Sequence, residues 1–162
     1  MSRLPDNYEA PAIASNYTKL KEGDNKIRIL TAPVIGYEYF TVENKPKRSK
    51  TMFKDTSDMK EDGKVKEFWA FGVWNYDLNA LQVMSIVQAG IKTQLTELAN
   101  DDDYGSPLLY DIKISKTGKG LDTRYQVKPL PPKDFDNEQA IKDAEALSLE
   151  ALFEWNDPFS PL

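Results

Sequence analysis

A chain of 162 residues without cysteine or histidine has room for one ordinary domain with its own core. It lacks the side chains for disulfides, thiolate or imidazole nucleophiles, zinc fingers and histidine-based triads. The net charge of −5 and pI near 4.9 hide a division: residues 134–162 hold eight acids against Lys142 alone, a net of −7, while residues 1–133 hold 20 cations and 18 anions, a net of +2.

Residues 1–15 contain Pro5, Pro11 and scattered charges with no apolar run, which predicts a flexible N-terminal arm and no secretory signal. No later stretch is long and apolar enough to cross a bilayer, so a cytosolic protein is expected. The body is placed at residues 16–133. Turn residues Gly23, Asp24 and Asn25 precede an alternating strand at 26–30, and after Pro33 and Gly36 a second strand is expected at 37–42, with Tyr37 and Tyr39 on one face.

Residues 43–64 turn polar and read as a long loop. Five cations (Lys45, Lys47, Arg48, Lys50 and Lys54) fall between 45 and 54 with no acid, and Phe53 lies among them. That is the make-up of a mobile basic arm that neutralises phosphates and adds one stacking ring; a solvated loop without function is the other reading.

The stretch at 65–76 holds two of the three tryptophans and alternates as a strand with two apolar faces. Val65, Trp69, Phe71 and Val73 form a bulky face suited to a core. Lys66, Phe68, Ala70, Gly72, Trp74 and Tyr76 form the other, where rings stand beside small residues that let a flat molecule approach the backbone. This second face is either a platform for stacking bases or one more buried side of a central strand.

After Asp77 the apolar positions Leu78, Leu81, Met84 and Val87 recur every third residue, predicting a helix that ends near Gly90, and Ile91, Leu95 and Leu98 predict a second. Asp101, Asp102 and Asp103 read as a solvated loop, not a cation site, because adjacent residues point in different directions. Residues 109–115 and 121–127 predict a hairpin. A two-residue turn at Thr117 and Gly118 would set Lys113 against Asp122 and Asp111 against Arg124, leaving Lys116 and Lys119 at the tip to touch phosphates or to serve solubility. The spacing around Thr117–Gly118–Lys119–Gly120 is wrong for a phosphate-binding loop ahead of a helix, which argues against nucleotide hydrolysis. Pro129, Pro131 and Pro132 should stop the sheet. Beyond them lies a disordered acidic tail, with a short helix within 139–153. Its Phe153, Trp155, Asp157 and Phe159 have the character of a docking peptide for a protein partner.

Residues 19–30, 68–71 followed by helices, 110–114 and 118–122, in that order, together resemble the single-stranded DNA-binding proteins of bacteriophages. The resemblance covers roughly residues 17–132. It implies a mainly β, OB-fold-like small barrel with a two-helix insertion, and a non-catalytic protein of the bacterial host cytoplasm that coats single-stranded DNA in phage replication and recombination. On this reading Lys45, Lys47, Arg48, Lys50, Phe53, Lys54, Lys66, Phe68, Trp74, Tyr76, Lys116 and Lys119 meet DNA, and the tail recruits replication and recombination proteins. The structural zinc of some members is not implied, since no histidine or cysteine is present to hold it, and no cofactor is expected. A protein–protein adaptor, an RNA-binding OB-fold protein and a carboxylate-metal nuclease are the alternatives.

Overall fold

The computed structural model describes residues 16–159; the arm expected at 1–15 lies outside them. Seven strands pair antiparallel: β1 (Gly23–Ile29), β2 (Val34–Phe40), β3 (Pro46–Ser49), β4 (Lys66–Asn75), β5 (Ala80–Ile86), β6 (Tyr110–Thr117) and β7 (Arg124–Pro132). The aromatic strand β4 is the hub. Along one edge it pairs with β5, from Trp69↔Ile86 to Asn75↔Ala80. Its other edge is shared, β2 taking Val34↔Ala70 to Glu38↔Lys66 and β1 taking Ile27↔Asn75 to Ile29↔Val73.

β1 and β2 therefore run past β4 in one direction as a single strand broken at residues 30–33. At the break the Leu30 N–H donates to Gly72 O at 2.9 Å, and the Gly72 N–H donates to Thr31 Oγ1 at 2.8 Å, so neither peptide group of Gly72 is orphaned. β1 also pairs with β6, and β6 with β7; β3 pairs with β2 on the opposite flank.

The helix expected from Leu78 is absent: residues 80–86 form β5. The apolar residues there satisfy period two as well as period three. Met84 and Ile86 reach the inner core, Val83 faces the other way, and Asn79 at φ 49° makes the tight turn that sends the chain back along β4. Only the second expected helix forms, as α1 (Ala89–Ala99), with Ile91 and Leu95 buried. Its Gln94 side chain takes the place of a strand: Nε2 donates to Tyr125 O at 2.9 Å and Oε1 accepts from Val127 N at 2.8 Å along the edge of β7. The free edge of β5 is met by residues 16–18, through Thr18 N to Val83 O and Val83 N to Asn16 O.

The hairpin register also differs from expectation. Gly118 and Gly120 both take positive φ, and a 3₁₀ turn at Gly120–Asp122 lengthens the connection, so Thr117 faces Arg124 and Lys113 faces Lys128. Asp111 pairs instead with Arg28 in the interior, 3.3 Å away. The sheet does not stop at Pro129. β7 runs to Pro132 because its proline-rich end lies on an edge, with a bulge at Tyr110–Ile112, where missing N–H donors are tolerated.

One core cluster lies on one face of the sheet, here called inner, built from Ile27, Ile29, Phe71, Val73, Met84, Ile86, Ile91, Leu95, Tyr110, Ile112, Ile114 and Val127, with Trp69 against it. A second covers the outer face of β4 and β5: Phe68, Ala70 and Val83 meet Leu149 and Leu152, flanked by Leu147, Phe153 and Phe159. The acidic segment expected to be disordered thus folds. Asn137 Oδ1 caps α2 (Glu138–Glu145) through Ala140 N at 3.0 Å, Ala140 and Ala144 are buried, and a 3₁₀ turn (Leu149–Glu154) follows. Seven excess negative charges made the segment look unable to pack. Its few apolar residues suffice because β4 offers them a ready apolar surface. Among the described residues no helix is long and apolar enough to cross a membrane.

Candidate nucleic-acid interface

Alternation along β4 predicted the two faces in the arrangement the structure has, with Trp69 on the inner side and Phe68 and Trp74 on the outer. The outer face has the openings expected of a stacking platform, and the chain's own C-terminal segment fills them. A Cβ on Gly72 would lie 2.8 Å from Leu147 Cδ1. One on Gly36 would lie 2.5 Å from the Phe153 ring and 2.7 Å from Ser49 O. Phe153 packs on Phe68 with centroids 5.6 Å apart, and Phe135 meets Trp74 edge-on at 6.2 Å. Phe68 is wholly buried as a result, while Trp74 remains half-buried.

The basic arm is more structured than its composition suggested, since Pro46–Ser49 pairs with β2 as β3. Four of its cations hold acids: Lys45 with Glu43 at 3.7 Å, Lys47 with Asp58 at 3.3 Å, Arg48 with Glu38 at 3.1 Å, and Lys50 with Glu150 of the C-terminal segment at 2.5 Å. Lys50 also stands 5.6 Å from the Phe153 ring, and Arg48 5.7 Å from Phe68. These two cations meet Phe68 on the covered face, and Trp74 lies on the same face six residues, or about 20 Å, further along β4. Lys66 is exposed at its rim, opposite Glu38.

The remaining expected contacts do not join them. Phe53 is turned against Tyr39 at 4.6 Å, Lys54 is exposed on the loop, and Tyr39 donates a short hydrogen bond to Asp58. That bond, with Lys47 beside it, holds the Asp58 carboxyl below its ordinary range; the same bond raises the Tyr39 phenol, against the opposing pull of Lys47. Lys116 lies opposite Gly23, five residues from the Arg28 that faces Trp74, or about 16 Å along the strand. Lys119 is exposed in the turn beyond it.

The tail residues expected to dock a partner divide. Phe153 and Phe159 pack against the second core cluster, and Asp157 Oδ1 accepts from Phe159 N at 2.9 Å to shape a turn. Trp155, 60% exposed, alone among these rings projects into solvent.

A cluster that the sequence reading missed surrounds Asp111. Its buried carboxylate accepts from Tyr76 Oη at 2.7 Å and pairs with Arg28 at 3.3 Å, Lys133 at 3.3 Å and Lys26 at 3.9 Å. Arg28 is further held by Leu108 O and Lys133 O. Burial, then the bond to Asp111, raises the Tyr76 phenol far above its ordinary value, so it stays a neutral donor. Lys26 Nζ lies 4.5 Å from the centre of the Tyr76 ring, so this ring is a seat for cations more than for bases. The correct hairpin register would have revealed the neighbouring pair Lys113 and Lys128, to which the pairing of β1 with β6 adds Lys26.

Among the described residues no cluster of acids is arranged to hold a metal ion. No protein-family model matches the chain, and no curated protein or solved structure matches it at a significant level.

Proposed function

We propose that this protein binds single-stranded DNA without catalysing a reaction, coating it during phage replication or recombination, and that the outer face of β4 receives the bases. The observation that carries this reading is the nature of the segment now seated there. It sets rings on rings at Phe68–Phe153 and Trp74–Phe135 and a carboxylate on a cation at Lys50–Glu150, and flat rings on an anionic chain are what a single strand offers. The connectivity supports an OB-fold reading. The broken β1–β2 strand would be the first of five, β4 and β5 the second and third that form the usual binding face, and β6 and β7 the last two. The basic arm would then be the loop between the first and second strands. Displacement of residues 134–159 by DNA would free Phe153 and Phe159, alongside Trp155, for a replication or recombination protein.

Titration of the full chain with oligothymidylate, followed by tryptophan fluorescence and with duplex DNA as control, tests the reading. Saturable quenching selective for the single strand is expected. Its log K should fall with log salt at a slope of about −2 to −3.5 if about three to five phosphates are neutralised. No binding at low salt, by the full chain or by a variant with a loosened C-terminal segment, overturns it. Equal affinity for RNA and DNA oligonucleotides would shift the reading to RNA.

A further inference from the structure

We propose that the outward faces of β1, β6 and β7 form a second track for the phosphate backbone of the same single strand, open while the C-terminal segment covers β4. This rests on the single-stranded DNA reading above and adds where the strand is first caught. Lys26, Lys113 and Lys128 stand in one cross-strand row, and Lys133 lies beside it, joined through Asp111 and the Tyr76 ring. Like charges directly opposite one another weaken a sheet, so the row has a cost that its surroundings should offset.

For two of the three lysines they do not. Lys26 is held by Asp111 and Tyr76, but Lys113 and Lys128 have no acidic partner within 4.0 Å among the described residues. Asp111, the nearest acid on the Lys113 strand, is already engaged by Arg28, Lys26, Lys133 and Tyr76, and Asp24 on β1 accepts from Ser115 at 2.5 Å. Lysines on an edge strand often serve only to block aggregation, which would account for Lys128 on β7 but not for Lys26 and Lys113 on interior strands. An anion lying along the row removes the repulsion. Neighbouring strands are about 4.8 Å apart, so the row spans about 10 Å, a reach that meets two successive phosphates of an extended strand. Arg28, opposite Trp74, links the row to the ring that DNA would reach next.

Stopped-flow tryptophan fluorescence with oligothymidylate, using full chains, tests this. Lys113→Ala combined with Lys128→Ala should slow association about tenfold at low salt and make the salt slope shallower by about 1.4, at about 0.7 per lost phosphate contact. Lys113→Glu places an acid between Lys26 and Lys128. It should therefore melt no lower than the parent while binding DNA more weakly, a combination that a structural role for Lys113 does not give. Unchanged rates and slope in variants that still bind the single strand overturn the track and leave the single-stranded DNA reading standing. Failure of the parent chain to bind overturns both. Loss of heparin binding with oligothymidylate binding intact would make the row a general polyanion surface and also overturn the proposal.

Discussion

If the C-terminal segment and DNA compete for the outer face of β4, a substitution that loosens the segment should lower stability and raise affinity at once. Leu152→Ala is suited to this, because Leu152 is 2% exposed and packs in the cluster of Phe68 and Val83, both wholly buried. Truncating a buried leucine costs about 2–5 kcal/mol, and the low end applies here because the 3₁₀ turn can settle toward β4. A loss of about 2.7 kcal/mol divides the closed-to-open ratio by about 100. Apparent affinity scales with the open fraction, so oligothymidylate should bind up to about 100-fold more tightly, less where the parent already opens often. The melting temperature should fall by about 5–10 °C. Leu95→Ala is the control: Leu95 is 5% exposed in the inner cluster, so its truncation should lower the melt similarly and leave affinity unchanged. Fluorescence titration and thermal melts on the same samples decide the matter. A Leu152→Ala protein that melts lower and binds no more tightly than the Leu95→Ala control would show that the covered face is not where DNA binds.

Trp74→Ala should weaken oligothymidylate binding by about 1–3 kcal/mol with little change in the melt, whereas Trp69→Ala, against the inner cluster, should mainly lower the melt; the reverse pattern would invert the two faces. Asp111→Ala leaves Arg28, 3% exposed, without its carboxylate and should cost about 3–5 kcal/mol in denaturant unfolding; a loss under about 1 kcal/mol would mean that the carbonyls of Leu108 and Lys133 suffice. The Asp58 carboxyl, depressed by the Tyr39 hydroxyl and Lys47, contributes stability above the ordinary carboxylate range and loses it as pH falls through its lowered value, so Asp58→Asn should flatten the acid limb of the stability–pH curve; an unaltered limb would place the acid sensitivity elsewhere.

The faces of β4 were legible in the sequence because period two is a strong local signal and Gly72 and Ala70 marked a close approach. The identity of what approaches was not, since Leu147 and Phe153 lie 75 and more residues further along the chain and nothing in their local composition names a partner. The stretch at 78–87 misled because its apolar residues fit both periods. The choice between them is made by the unpaired edge of β4, a tertiary fact. The lysine row was hidden twice over: a turn taken as two residues long moved Lys113 opposite Asp122 instead of Lys128, and the pairing of β1 with β6 that brings Lys26 beside Lys113 is a long-range contact with no local signal.

A strand that is apolar on both sides has one face too many for a single sheet, since the strands and α1 cover only the inner one. Phe68, Ala70 and Val83 left bare would form a contiguous apolar patch of the kind that drives association, so the outer face needs a cover while DNA is absent. A cover made from uncharged apolar chain would be permanent. The cover used here carries a net charge of −7 against +2 on the rest of the chain and is pinned to the basic arm through Lys50 and Glu150, both more than half exposed, where an ion pair contributes little and salt weakens it further. On the proposed reading, then, the two halves of the interface divide the work by physics. Phosphates caught on the open lysines respond to salt, and the exchange of Phe135 and Phe153 for bases on Trp74 and Phe68 trades one buried ring for another, which salt barely touches.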